Sequence, residues 1–157
     1  MNQVNKELIQ HRYFKIIEEA LNSGDWKGDN PQFVLEDSGI EWRLQSSGIS
    51  FIFALYKQND DIFVLLDATI CNLNSEALES ALTWSAEEQL SLPYLKRIGV
   101  RKGYNGAEVA CQIWSEVSIL SDTGFKFRLK TFKSFSICLL NELADKYGVQ
   151  PFLFRTS

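Results

Sequence analysis

The sequence predicts an α+β fold in a single domain over residues 1–157, with three helices placed before, between and after the strands of an antiparallel sheet. Three observations carry this. Apolar residues recur three or four apart near the start, around residue 80 and near the end, which is the helical period. They alternate singly in the middle of the chain, which is the strand period. Clusters of Gly, Ser, Asn and Asp separate the alternating runs. The expected order is α-β-β-β(-β)-α-β-β-α.

The first helix is expected over Asn5 to Asn22, because Ile9, Tyr13, Ile16, Ile17, Ala20 and Leu21 share one face, and Gly24 is its stop. Loop chemistry follows to Pro31, with Trp26 either closing the core or exposed as a contact. Phe33-Val34-Leu35 is a short strand candidate. Ile40, Trp42 and Leu44 alternate with Glu41, Arg43 and Gln45, a strand with one wet face. The stretch ISFIFALYKQNDDIFVLLDATIC, residues 49–71, is the most apolar in the chain, yet Lys57 to Asp61 divide it. Neither half reaches the ~20 residues of a spanning helix, and both are rich in β-branched and aromatic residues, so the stretch is a hairpin.

A second helix is expected from about Asn74 to Gln89, with Ser75 as its cap and Leu78, Ala81 and Leu82 as its apolar stripe. YLKRIGVRK, residues 94–102, is a strand that turns through Gly103-Tyr104-Asn105-Gly106 into a partner in which Val109, Cys111, Ile113, Val117 and Ile119 alternate, with Ala110 and Trp114 on the other face. The last helix carries Phe132, Phe135, Leu139, Leu143 and Ala144 as far as Tyr147, before Gly148 and Pro151. Its start is open, because Phe125, Phe127 and Leu129 also alternate like a strand. The apolar tail PFLFRTS is expected to dock.

Composition narrows the chemistry. A formal net charge of -4 argues against a surface that attracts nucleic acid as a whole. Lys96, Arg97, Arg101 and Lys102, with Lys126, Arg128, Lys130 and Lys133, remain a local basic cluster, read as solvated rather than as a nucleic-acid site. Cys71, Cys111 and Cys138 are read as reduced thiols packed in apolar surroundings. His11 is the sole histidine, so a histidine-based triad or a zinc site lacks its parts, and no metal or other cofactor is expected. Asp67 stands inside an apolar strand, where alternation aims it at solvent. No secretory leader is visible, and a cytoplasmic location is the expectation.

The order of elements, with the ending LLNELADKYG, resembles the secretion-chaperone-like fold of type III secretion chaperones and the YbjN-like proteins of bacteria. That resemblance implies a homodimer that holds a partner polypeptide on exposed apolar surface, without cofactor or catalytic residues. No site residue carries over individually, and the strand candidate at Phe33 and the apolar tail depart from the pattern. On this reading Trp42, Tyr56 and Trp114 are the candidate contact residues. The alternatives are an immunity or antitoxin-type protein that neutralises a toxin, and a small enzyme using Asp67 and neighbouring carboxylates.

Overall fold

A computed structural model describes residues 1–92, 96–103 and 106–149. The elements are α1 (Gln3–Ile9), α2 (Arg12–Leu21), β1 (Gln32–Leu35), β2 (Gly39–Ser46), β3 (Ile49–Gln58), β4 (Asp61–Asn72), α3 (Ser75–Ser91), β5 (Lys96–Gly103), β6 (Gly106–Glu116) and α4 (Asp122–Tyr147), with 3-10 turns at Gly24–Trp26 and Val117–Ile119. The six strands form one antiparallel sheet in the order β1-β2-β3-β4-β6-β5. The expected α+β class and element order are therefore present. Pro93, the first residues of the YLKRIGVRK run, the centre of the turn at Tyr104-Asn105 and the tail PFLFRTS lie outside the described residues.

Several boundaries differ from the sequence reading, each for a local reason. The first helix is two helices, because His11 takes an extended conformation and caps α2, its side chain accepting the Tyr13 N–H at 3.1 Å. Asn2 caps α1 in the same way through the Asn5 N–H. In α3 the cap is Asn74 rather than Ser75, accepting the Ala77 N–H at 2.8 Å. Its buried residues are Ala81, Trp84 and Ser85, and Leu82 is exposed. β6 ends at Glu116, and Val117 to Ile119 leave the strand as a 3-10 turn. α4 begins at Asp122, where Ser121 Oγ accepts the Gly124 N–H. Phe125, Leu129 and Phe132 are then buried at helical spacing, and Phe127 is exposed.

The chain divides into two compact units that alternate along the sequence, Met1–Leu44, Ile52–Leu66 and Trp114–Lys133 forming the first, and Gln45–Phe51, Asp67–Ile113 and Ser134–Ser157 the second. In the first, the Trp26 and Phe53 rings meet edge to face at 4.9 Å, and Phe53 in turn meets Phe132. Trp26 donates its Nε1–H to the Leu129 carbonyl at 2.9 Å, so the loop after α2 is fastened to α4. Lys133 reinforces the same junction, donating to the Asp25 carbonyl and to Asp29 Oδ2.

In the second unit α3 packs along β5 and is registered to it by Gln89, whose side chain donates to the Lys96 carbonyl and accepts the Ile98 N–H. Trp84 is buried and donates to Glu142 Oε1 on α4 at 3.0 Å. Cys71 and Cys111 are buried here, whereas Cys138 is exposed, so only two of the three thiols sit in a core as expected. Burial raises the Cys71 thiol to about 11 and the Cys111 thiol to about 12.

Candidate functional site

Side chains alternate across a strand, so one face of β3 presents Phe53 and Leu55 to the core while Tyr56 points to the other side. The two-residue turn Asn59-Asp60, both residues at positive φ, closes the β3–β4 hairpin. Gln58 then lies opposite Asp61, and counting back sets Tyr56 opposite Phe63. Their rings stack at 5.5 Å with planes 17° apart. On the next strand, β6, Trp114 stacks on Phe63 at 5.1 Å and 18°. These spacings are close to the distance between neighbouring strands, so the three rings form a ladder running across the sheet. Trp114 Nε1 also donates to the Tyr56 hydroxyl, tying the two ends together.

The ladder is accessible: Trp114 is 37% exposed, and Tyr56 and Phe63 are half-buried. Stacking consumes the ring faces inside the ladder, which makes an apolar ridge rather than slots. Two of the residues expected from the sequence, Tyr56 and Trp114, are brought together here. Phe63 was not anticipated, although the length of the Asn59-Asp60 turn fixes its position opposite Tyr56.

Trp42 belongs elsewhere. It is 1% exposed, packs against Phe14 and Phe33, and donates to Glu18 Oε1 at 2.6 Å. The alternation that put Trp42 on one face of β2 holds, but that face is the core.

Asp67 differs from expectation in a more consequential way, for it is 4% exposed and not aimed at solvent. Its Oδ1 accepts Arg101 Nη2 at 2.9 Å, and its Oδ2 accepts Arg101 Nη1 at 2.7 Å and Gln112 Nε2 at 2.6 Å. Arg101 extends from β5 across β6 to β4, also donating to Thr69 Oγ1 and to Glu108 Oε1. Ala110, between Glu108 and Gln112 on that face of β6, leaves room for the guanidinium to cross. These hydrogen bonds, those to Asp67 foremost, raise the Arg101 pKa and keep it charged. Both Asp67 oxygens are occupied by donors, so the group has the geometry of a locked ion pair rather than of a base awaiting a proton.

The basic cluster is dispersed among different roles. Arg101 belongs to the network above, Lys133 is tied to Asp29, and the Lys96 ammonium lies 4.3 Å from the Phe135 ring centre. Lys126 and Lys130 stand apart on α4. His11, as a helix cap, is fully engaged in structure, and burial followed by the neighbouring Arg12 lowers its pKa. Among the described residues, no group of three or more His, Cys, Asp or Glu is arranged to hold a metal ion, and no helix is long and apolar enough to cross a membrane.

Comparison with solved structures finds a match in the crystal structure of YbjN from E. coli, described as a candidate transcription regulator. The match covers 87% of this chain and 93% of that one, with a TM-score of 0.51 and 11% sequence identity. The fold is YbjN-like. At that identity the likeness concerns the fold, and no residue's role transfers with it. No protein-family model and no curated protein matches the sequence.

Proposed function

We propose that the protein is a non-enzymatic binding module that holds a partner polypeptide on the ridge formed by Tyr56, Phe63 and Trp114. The observation that carries this reading is the stack itself: three aromatic rings on neighbouring strands, tied by a Trp–Tyr hydrogen bond, with Trp114 exposed and Tyr56 and Phe63 half-buried. Trp and Tyr are the side chains most often found anchoring interfaces, since they bury much area for few rotatable bonds. A rigid stack has already lost that rotational freedom, which lowers the cost of binding. Polypeptide is favoured over single-stranded nucleic acid for two reasons. Bases stack on ring faces, and this ladder uses both faces of Phe63 and one face each of Tyr56 and Trp114 internally. The chain also carries a net negative charge.

An array of overlapping peptides probed with the purified protein tests the proposal. Wild type is expected to retain peptides rich in apolar and aromatic residues. Trp114→Ser removes an exposed ring, so folding is expected to persist while affinity falls roughly thirtyfold, as for an anchor worth about 2 kcal/mol. Peptide binding unchanged by Trp114→Ser and by Tyr56→Ser, or retention of nucleic acid in place of peptide, overturns the reading.

A further inference from the structure

The geometry points to a second binding site, for a short zwitterionic peptide, in a hollow of the first unit. The hollow has a volume of about 450 Å³ and lies between the end of α2, the Gly24–Trp26 turn and the first turns of α4. That volume is within the roughly 300–1,000 Å³ of ordinary ligand pockets. Ile16, Ala20 and Trp26 give it an apolar floor.

Its charges are sorted by element. α4 supplies Lys126 and Lys130, while α2 and the turn supply Glu19 and Asp25. Neither lysine side chain forms an ion pair or hydrogen bond with these carboxylates or with any other described residue. Lys126 and Lys130 are four apart on one helix, a like-charge spacing that is unfavourable by itself. In a chain of net charge -4, two adjacent uncompensated lysines at the rim of an apolar hollow create a place for a carboxylate. Glu19 and Asp25 lie where the α2 dipole has its negative end, so the same site also favours a cation. Among the described residues the Glu19 carboxylate pairs with Lys15 alone, at 3.9 Å, and both side chains are largely exposed.

A ligand that satisfies both sides carries an ammonium and a carboxylate separated by an apolar segment. A sphere of the hollow's volume is roughly 9–10 Å across, which matches a tripeptide at ~3.3–3.6 Å per extended residue. The chemical class is therefore a short peptide with free termini and an apolar centre, its carboxylate toward Lys126 and Lys130 and its ammonium toward Glu19 and Asp25.

Calorimetric titration of the full-length protein with Ala-Leu-Ala, its N-acetyl form, its C-amide and free leucine tests this. Saturable binding of the unblocked tripeptide is expected, weakened at least about fivefold by either cap and weaker still for leucine. The variant carrying Lys126→Met and Lys130→Met should bind the C-amide as well as it binds the free acid. The variant carrying Glu19→Gln and Asp25→Asn should no longer distinguish the N-acetyl form. All four side chains are exposed, so both variants are expected to fold. No binding of the tripeptide, equal binding of capped and uncapped forms by wild type, or leucine binding as tightly as the tripeptide overturns the assignment. None of these substitutions touches Tyr56, Phe63 or Trp114, so this test fails or succeeds independently of the ridge.

Discussion

Replacing Arg101 by Met separates two accounts of the ion-pair network, one structural and one decorative. An exposed salt bridge contributes about 0–1 kcal/mol, whereas breaking a buried pair by removing one partner costs about 3–5 kcal/mol. Exposure decides between them here. The Asp67 and Glu108 side chains are 6% and 9% exposed and Arg101 is 37% exposed, so the cation is the partner that reaches solvent. Arg101→Met therefore strands two buried carboxylates, with Gln112 as the remaining donor to Asp67. Asp67→Ala, by contrast, leaves Arg101 with Glu108, Thr69 and water. The first substitution should cost about 3 kcal/mol or more at neutral pH, and the second less.

Urea unfolding followed by tryptophan fluorescence measures both. With a slope of about 2 kcal/mol per molar urea, Arg101→Met lowers the midpoint by about 1.5 M. A midpoint shift below about 0.5 M at pH 7 would refute the reasoning, because surface pairs behave that way.

Two further outcomes follow from individual groups. His11 has a lowered pKa in the fold, so its contribution is complete above its ordinary value of 6.5 and is lost as the pH falls below it. His11→Asn keeps a capping acceptor worth about 1 kcal/mol and should flatten the stability profile between pH 7 and 5; an unaltered slope counts against the cap. Thiol labelling of the native protein should modify Cys138 promptly and leave Cys71 and Cys111, both buried and with raised pKa values, unreactive until urea unfolds the chain. Rapid native labelling of more than one thiol contradicts this arrangement.

Period was enough to read most of the fold, because a helix and a strand bury different spacings of the same residues. Phe125, Phe127 and Leu129 show where period fails: over so short a run the apolar spacing serves both structures, and only Phe132 settles it as a helix by continuing the face of Phe125 and Leu129. The break at His11 was hidden for a related reason, since apolar residues continue at similar spacing on either side of a cap. The ladder was partly legible, Tyr56 and Trp114 by residue type and Phe63 only through the register that the turn imposes. Arg101 and Asp67 were not legible as a pair. They are 34 residues apart in sequence, and they meet because β6 takes its place between β4 and β5, an arrangement decided by the tertiary fold.

The brevity of the Asn59-Asp60 connection reaches well beyond the hairpin tip. Adding one residue at the start of β4 would invert its pleat, sending Phe63 inward and Val64 outward. The chemical identity of the ridge is thus set by a count of backbone units at a site that need not touch any partner. Natural variation in the ridge would consequently be expected to tolerate exchange among aromatic side chains more readily than any change in the length of that turn.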